Sequence, residues 1–380
     1  MNIIPYTDEH HKFREKTRAF VKKEIIPHVD QWEKDKIVPK SAWQKMGREG
    51  LLCTTMPKKY GGPGHDLLYA VIVAEEMAHS NHYGLHAVLH SEVAAPYIYT
   101  FGSEYLRNKY LPGCCSGDIV SAIAMTEPNA GSDLASIETM AIEDGDEIVL
   151  NGSKIFISNG INCGVAVVAA KNPSDKSPYE STSLYVVESD LPGFIRGKKL
   201  EKMGFHSQDT VELFFSNCRI PKTNILGKKG MGFKMLMEKL QFERLLCSVQ
   251  TVATAEFSLA QLLKHQKTIS ASGQPIRRTQ SSQFALVEMA TEIKLGKTML
   301  ETLIVDHMAG KNILKETSMA KYWNSELARR VAEGCIELHG MEGSLESFPA
   351  VRAYRDVRIL SIAGGTTEVM KGIIAKEMGI

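Results

Sequence analysis

The spacing of apolar residues changes twice along the chain. Over residues 8–113 it stays near 3.6, which predicts helices. Further helices are predicted at 39–50, 66–80 and 83–101, and the Gly- and Pro-rich residues 56–64 form a loop. The clearest stripe for one helix face consists of Phe13, Phe20, Val21, Ile25 and Val29. Residues 1–118 are therefore predicted to form an N-terminal helical domain.

From residue 119 the period falls to near two. Runs of β-branched, aromatic and other apolar residues, bounded by turn residues, predict short strands at 119–123, 147–150, 163–170, 183–188 and 211–215. The polar residues 172–181 predict a hairpin loop. Several strands in succession favour a small β-barrel or sandwich, so residues 119–227 are predicted to form a middle β-domain.

Helical periodicity returns after Gly230. Three long segments are predicted at 231–266, 277–309 and 314–339, with a last helix near 366–378. The second carries the apolar stripe Leu286, Met289, Ile293, Leu300 and Ile304. Long helices in series are typical of an antiparallel bundle, so residues 228–380 are predicted to form a C-terminal helical bundle.

Charge and composition narrow the possible partners. The 380 residues include 45 basic and 44 acidic side chains, so there is no global basic field and nucleic acid is not an expected partner. No apolar run approaches the roughly 20 residues that span a bilayer, so no membrane partner is expected. The N-terminus resembles neither a signal peptide nor a transit sequence, which predicts a cytoplasmic protein.

Cysteines and histidines give no metal signature. The seven cysteines include no CxxC pair, and reduced, mostly buried thiols are expected. His82, His86 and His90 lie close in sequence, but no carboxylate or cysteine completes a ligand set. We therefore interpret them as helix histidines and predict no metal site.

A Pro- and Gly-containing turn follows the first predicted strand, at residues 124–133. Pro128, Asn129 and Gly131 force the chain to turn. The hydroxyls of Thr126 and Ser132, with free backbone N–H groups, suit the edge of a polar ring or a phosphate. On turn chemistry alone, an ordinary polar loop is the simpler interpretation.

Five motifs together carry a family resemblance. They are Thr-Glu-Pro-Asn-Ala-Gly-Ser-Asp at 126–133, Asn-Gly-Ser-Lys-Ile-Phe-Ile-Ser-Asn-Gly at 151–160, Lys-Met-Gly at 202–204, Asp209-Thr210, and Gly-Thr-Thr-Glu-Val-Met at 365–370. Over essentially the whole chain they resemble the flavoprotein acyl-CoA dehydrogenase family, and most of all its long-chain members. The resemblance implies an N-terminal helical domain, a middle β-domain and a C-terminal four-helix bundle, in a homotetramer or homodimer.

The resemblance also implies FAD, lying between the β-domain and the bundle, with its adenosine end reaching a neighbouring subunit. Thr126 and Ser158 would hydrogen-bond the reactive end of the flavin. Ser132 would lie near the pyrophosphate and the CoA chain. The full set of implied cofactor contacts is Ile123, Met125, Thr126, Gly131, Ser132, Phe156, Ile157, Ser158, Gln280, Glu337, Gly340, Thr366 and Glu368.

The reaction implied is α,β-dehydrogenation of an acyl thioester, in which a carboxylate takes the α-proton and flavin N5 accepts the β-hydride. Many family members place the base where this chain has Gly364, whose backbone N–H could still bind the thioester oxygen. Other members use a Glu-Arg pair on the first bundle helix, here Glu243-Arg244. Glu243 is therefore the candidate base. The implied substrate contacts are Ser132, Gln241, Phe242 and Arg244.

Three departures from the family pattern affect the predicted sites. Ile269 and Ser272 replace an Arg and a Phe that face the neighbouring FAD, and Glu337 and Met341 alter a Gln-x-x-Gly-Gly motif. These changes predict a weaker hold on FAD unless Lys267, Arg277 or Arg278 compensates. The third departure is Glu92, near the helix that lines the acyl chain. Surface exposure is the simpler interpretation, and a polar acyl group ending near Glu92 or His90 is the alternative.

Three functions stay open at this point. The leading one is an FAD-dependent acyl-CoA dehydrogenase that passes electrons to an electron-transferring flavoprotein. The second is an oxidase or dehydrogenase of an acyl or aminoacyl group on a carrier protein. The third is a flavin-binding homologue without dehydrogenase activity, which the balanced charge and the lack of a basic C-terminal extension disfavour. The acyl chain and the electron acceptor, flavoprotein or oxygen, are undetermined by sequence.

Overall fold

A computed structural model of the chain describes residues 3–173, 177–265 and 279–380. The order of elements is helices, then a sheet, then helices, as the apolar pattern predicts. The helices of the first part are α1 Asp8–Phe20, α2 Val29–Asp35, α3 Lys40–Arg48, α4 Leu67–Ala78, α5 Ala95–Phe101 and α6 Glu104–Ser116. Two π-helical segments adjoin them, Val21–Ile25 after α1 and Leu89–Ala94 before α5.

Helix starts in this part follow from capping side chains. Asp66 accepts a 2.9 Å hydrogen bond from the Leu68 N–H at the start of α4, and Ser103 caps α6 in the same way. The predicted helix at 83–101 begins too early, because 83–86 form a loop and the helix starts within the following turn. Helix α6 lies largely within the region predicted to be helical, but its bounds are not predicted, and Pro112 lies inside it.

The middle part is one eight-stranded sheet. Its strands are β1 Val120–Ala124, β2 Met140–Asp144, β3 Glu147–Ile157, β4 Cys163–Lys171, β5 Thr182–Glu188, β6 Phe194–Lys199, β7 Val211–Pro221 and β8 Ile225–Leu226. The order is β6-β7-β3-β2-β4-β5-β8, and β1 pairs in parallel with β4. Every residue of β1 is buried, which explains why all of its residues except Ser121 are apolar. Strands β2, β6 and β8 have no counterpart in the predictions, and part of the predicted hairpin loop is the short helix α7 Pro178–Ser181.

The last part is a helical bundle. Its helices are α8 Gly232–His265, α9 Gln280–Met308, α10 Leu314–His339, α11 Pro349–Leu360 and α12 Thr367–Met378. Helix α10 packs against the four others. On α9 the predicted stripe faces inward, with Ile293, Leu300 and Ile304 buried. Helix α8 also packs against α4, which joins the bundle to the N-terminal helices. Within the described ranges, no helix is long and apolar enough to cross a membrane.

Candidate active site

The turn after β1 is held rigidly to the strand β3. The Ile155 N–H donates to the Thr126 carbonyl at 2.9 Å. Beneath the turn, the buried Lys154 ammonium lies 2.7 Å from the Glu127 carboxylate and 3.0 Å from the Met125 carbonyl. Glu127 also accepts the N–H of Thr139 at 3.0 Å. Burial lowers the pKa of Lys154 to about 8, while the Lys154 charge and hydrogen bonds hold the pKa of Glu127 below its usual value. Glu127 is thus a structural residue of the turn.

The outer face of this turn is open and partly polar. The side chains of Thr126 and Ser158 are half-buried, and their hydroxyls have no hydrogen-bond partner among the described residues. A Cβ added at Gly131 would meet no atom within 4 Å. The backbone is less open than predicted, because the N–H groups of Glu127 and Ala130 bond each other's carbonyl groups. The groups that this turn offers to a ligand are therefore mainly the hydroxyls of Thr126 and Ser158.

Phe156 provides an apolar surface next to these hydroxyls. It has a left-handed backbone with φ of 60°, and 63% of its surface is exposed. Such a conformation is uncommon for an aromatic residue, and it directs the ring out of the sheet. Ile157, by contrast, lies in the sheet core, and Ile123 is buried beneath β1. An exposed aromatic ring beside two unpartnered hydroxyls fits a flat ligand with a polar edge.

The other predicted cofactor residues lie on the bundle. Gln280, Glu337, Gly340 and Glu368 are exposed, and Thr366 caps α12 through a 3.2 Å hydrogen bond from the Val369 N–H. Their side chains, Thr366 apart, are therefore available to a ligand or a neighbouring subunit. The departures at Met341 and Glu337 are on this exposed surface. The positions of the other departures and possible compensators, Ile269, Ser272, Lys267, Arg277 and Arg278, lie outside the described residues.

Glu243 lies on α8, facing helix α5. The Tyr97 hydroxyl donates a 3.0 Å hydrogen bond to its Oε1 atom. Burial raises the pKa of Glu243 to about 7, while Tyr97, Arg244 and Lys239 act in the opposite direction. A carboxyl group with this pKa is divided between its acid and base forms near neutral pH, which suits a group that accepts a proton. No sequence motif marks Tyr97, because a tyrosine in an apolar helix is ordinarily a packing residue.

The next residue along α8 connects Glu243 to the turn before α12. Arg244 Nε donates to the carbonyl of Gly364 at 3.1 Å. Gly364 and Gly365 have φ of 68° and 105°, in the left-handed region that favours glycine. Within the described residues, no protein acceptor binds the N–H groups of Gly364, Gly365 or Thr366. The residue after the predicted base is thus in contact with the glycine that carries the predicted backbone donor.

The other predicted substrate residues are arranged less uniformly. Gln241 and Phe242 are half-buried, and the Phe242 ring stacks on His307 of α9 at a centroid distance of 5.2 Å. Ser132 is exposed on the turn after β1. The Phe242 ring is therefore engaged by the bundle, while Gln241 and Ser132 carry side chains that a ligand could reach.

The interpretation of Glu92 as a surface residue is wrong. Glu92 is only 5% exposed, and its Oε2 atom has no hydrogen-bond partner among the described residues. Burial raises the pKa of this carboxyl to about 8, so it is largely neutral at pH 7. The helical turn Leu89–Ala94 carries it inward, three residues before Ala95 starts α5.

The neighbouring histidines are buried core residues. His90 Nδ1 accepts the Ser121 N–H at 2.9 Å, and its Nε2 contacts the Cys114 carbonyl at 3.0 Å. Burial lowers the pKa of His82, His86 and His90 to about 4, so all three are neutral. Only His90 lies in a helix, because His82 and His86 fall in the loop before it. His90 is fully engaged within the fold and does not reach toward an acyl chain.

Comparison with known proteins assigns the family. Models of the N-terminal, middle and C-terminal domains of acyl-CoA dehydrogenase match residues 7–118, 122–218 and 230–379. The long-chain specific mitochondrial acyl-CoA dehydrogenase of Sus scrofa is 41% identical over 374 residues, which cover 98% of this chain and 87% of that protein.

Solved structures agree with the sequence comparison. The acyl-CoA dehydrogenase from Geobacillus kaustophilus superposes with a TM-score of 0.97 at 46% identity, over 99% of both chains. The prolyl acyl carrier protein oxidase AnaB superposes with a TM-score of 0.90 at 29% identity, over 99% of this chain and all of that one. This chain therefore belongs to the acyl-CoA dehydrogenase family of oxidoreductases.

Proposed function

We propose that this protein is an FAD-dependent dehydrogenase that introduces an α,β double bond into an acyl-CoA thioester, with Glu243 as the base. One observation carries the proposal. Glu243 is held by Tyr97 on one side, and its neighbour Arg244 binds the carbonyl of Gly364 on the other. A proton acceptor and a glycine with an unpartnered N–H are thereby connected through two adjacent residues of one helix.

The residues after β1 and at the end of β3 fit FAD, on which members of this family depend. The exposed Phe156 ring would cover part of the flavin, and the Thr126 and Ser158 hydroxyls, which lack protein partners, would meet its polar edge. Bound there, FAD supplies the acceptor for the β-hydride. The Lys154–Glu127 pair would keep the turn in place, because it fixes the turn to β3 from below.

Two groups of the chain itself, the Gly364 N–H and the Glu243 carboxylate, would then act on the thioester. The Gly364 N–H would donate to the thioester oxygen and stabilise the negative charge that develops there when the α-proton leaves. Glu243 would accept that proton, which requires its ionised form. Its pKa of about 7 gives a stronger base than an ordinary carboxylate without keeping it protonated at neutral pH. Gln241, Arg244 and Ser132 would contact the thioester and its carrier.

The buried Glu92 would affect which acyl groups the site accepts. Its neutral carboxyl group, buried on the helical segment that leads into Tyr97, would lie toward the far end of an acyl group that starts at Glu243. A buried carboxyl with one unpartnered oxygen favours an acyl group that offers a hydrogen-bonding partner there. We therefore include polar and dicarboxylic acyl groups among the candidate substrates.

A carrier-protein thioester is the second candidate. The similarity to the prolyl acyl carrier protein oxidase AnaB supports it. An electron-transferring flavoprotein is the proposed electron acceptor for the CoA enzyme, whereas oxygen would serve an oxidase.

We further propose a homotetramer or homodimer, since α9 exposes Phe284, Val287 and Leu295. The domain limits 1–118, 119–227 and 228–380 complete the proposal.

Anaerobic bleaching of the bound flavin tests the proposal. Purified protein is mixed with long, branched, aromatic, dicarboxylic and carrier-bound acyl thioesters, and the flavin absorbance is followed. At least one thioester is expected to bleach the wild type. Glu243→Gln should reduce the bleaching rate by about a thousandfold or more and leave the oxidised flavin spectrum unchanged.

Glu238→Gln is the matched control, because Glu238 is exposed on the same helix. It should bleach at the wild-type rate. Bleaching of Glu243→Gln at that rate would refute the base assignment. A wild type that binds flavin but responds to no thioester would instead support the homologue without dehydrogenase activity.

A further inference from the structure

Helix α10 holds the turn between α11 and α12 at three points. Lys321 Nζ donates to the carbonyl of Gly365 at 2.5 Å. One helical turn later, the Ser325 hydroxyl donates to the carbonyl of Leu360 at 2.9 Å. The next residue, Glu326, accepts from the Thr367 hydroxyl at 3.1 Å. The ends of the turn and its glycines are therefore fixed from a single helix face.

The two glycines have their carbonyl groups bound by two separate cations. Arg244 from α8 binds the Gly364 oxygen, and Lys321 from α10 binds the Gly365 oxygen. Because the C=O of one residue shares a peptide plane with the N–H of the next, Arg244 fixes the plane that carries the Gly365 N–H, and Lys321 fixes the plane that carries the Thr366 N–H. Both glycines have left-handed φ, and the unpartnered N–H groups of Gly364, Gly365 and Thr366 follow one another along this held turn. Successive backbone N–H groups in turns can bind oxyanions.

Burying the charged side chain of Lys321 costs desolvation free energy. Its side chain has 0% exposure, and burial together with the nearby Arg244 charge lowers its pKa. A methionine of similar length could fill the space without desolvating a charge. Packing alone therefore does not account for an ammonium group here. Its contact with the Gly365 carbonyl does account for it, because the glycine turn has no side chains through which it could be held.

We propose that Lys321 is a positioning residue of the thioester site. It holds the Gly365 carbonyl, and with Arg244 it fixes the two peptide planes that follow Gly364, so that the Gly364 N–H at the start of this held turn stays directed at the thioester oxygen. This inference rests on the proposed function, since it assigns a role within the same reaction. Lys321 touches neither the thioester nor Glu243. Its contribution is a donor that is already oriented when negative charge develops on the oxygen.

The test compares Lys321→Met with Ser325→Ala in the full flavin-loaded protein. Ser325 makes the same kind of contact to the same turn, but at Leu360 and not at the glycines. Lys321→Met should lower kcat per bound flavin by about 10- to 100-fold, with KM changed by less than about threefold, because the lost alignment matters most in the transition state. Ser325→Ala should lower the melting temperature and leave kcat within about twofold.

A second measurement does not depend on turnover. A 3-thia-acyl-CoA that cannot be dehydrogenated ionises at its α-carbon when bound, and the resulting anion gives a long-wavelength absorbance band with oxidised flavin. The pH at which this band appears reports how well the site stabilises charge on the thioester oxygen. Lys321→Met should shift that pH upward by about one to two units, and Ser325→Ala should not move it.

The outcomes separate the two proposals. If the wild type is bleached by a thioester and Lys321→Met matches it in both kcat and the analogue band, the positioning role is refuted and the dehydrogenase stands. If the wild type responds to no thioester, both are refuted. Should Lys321→Met fail to fold, Lys321→Gln keeps a hydrogen-bond donor without the charge. Activity of that variant between one-tenth of wild type and wild type supports the role, and full activity with an unshifted band opposes it.

Discussion

The hydroxyl of Tyr97 donates a 3.0 Å hydrogen bond to Glu243 Oε1, and this bond links helix α5 of the N-terminal part to helix α8 of the bundle. Two opposing effects meet at Glu243. Burial raises the pKa of its carboxyl, and the bond from Tyr97 stabilises the ionised form and lowers it. The resulting pKa of about 7 reflects burial first, and a residue 146 positions away in the chain limits the rise.

The first prediction concerns pH. The base must be ionised, so kcat/KM should fall as the pH drops through about 7. Tyr97→Phe removes the donor and raises the pKa of Glu243, which should move this acid limb to higher pH by about half a unit to one unit. The measurement is kcat/KM against pH for both proteins. Tyr60→Phe is the control, because the Tyr60 hydroxyl donates to the remote Glu104. An unmoved acid limb of the pH profile in Tyr97→Phe would contradict the assignment of Glu243 as the base.

The second prediction concerns the buried Glu92. Its folded-state pKa of about 8 lies above the ordinary value of 4.5, so between these two pH values the folded protein binds the extra proton. The free energy of unfolding should therefore decrease as the pH rises through this window. Glu92→Gln removes this cost and should stabilise the protein by about 2–4 kcal/mol at pH 8.5, with a smaller effect at pH 5.

Urea denaturation of Glu92→Gln at both pH values checks this. Glu377→Gln, a substitution of an exposed glutamate near the end of α12, should leave the free energy of unfolding unchanged at either pH. An equal effect of Glu92→Gln at both pH values would show that the substitution acts through packing and not through the ionisation of Glu92.

The third prediction concerns the Lys154–Glu127 ion pair beneath the turn at residues 124–133. Lys154→Met leaves the Glu127 charge buried without its partner, which should reduce the free energy of unfolding by about 3–5 kcal/mol. It should also lower the flavin content, because the turn loses one of its attachments to β3. The double variant Glu127→Gln/Lys154→Met should recover part of the loss in urea denaturation. A double variant that is no better than the single one would mean that the pair itself is not what Lys154 supplies.

Elements of the fold can be predicted from the sequence where their apolar pattern is continuous over the whole element. The stripe on α9 and the mostly apolar β1 are examples, and both are found where the pattern predicts them. The elements whose bounds are not predicted have a local reason. Helix α6 contains Pro112, and α11 follows α10 after only a short 3₁₀ segment at Gly340–Ser344. Strand β2 has a polar half because only part of it is covered, so period two is not visible.

Some residues of the candidate site can be predicted from sequence motifs, and others become apparent only in the folded structure. Glu243 and Gly364 are found through motifs that resemble those of the family, and the structure joins them through Arg244. Tyr97 and Lys321 give no such signal. A lysine within an amphipathic helix is ordinarily a surface residue, and only the packing of α10 against the glycine turn buries it. The burial of Glu92 is hidden from the sequence for the same reason, since a charged residue is ordinarily exposed and only its neighbours in the fold bury it.

The π-helical segment Leu89–Ala94 has a consequence for how this chain can vary. Such a segment contains one residue more than a regular helix of the same span. Removing a single residue there would convert it to an ordinary helix of the same span, so the residues on both sides would keep their register and Tyr97 would stay opposite Glu243. Only side chains of the segment itself, Glu92 and His90 among them, would change direction. A one-codon deletion in this segment would thus alter the far end of the proposed acyl site and spare Glu243, whereas the same deletion in the regular helix α5 would rotate one part of that helix against the other by about 100°.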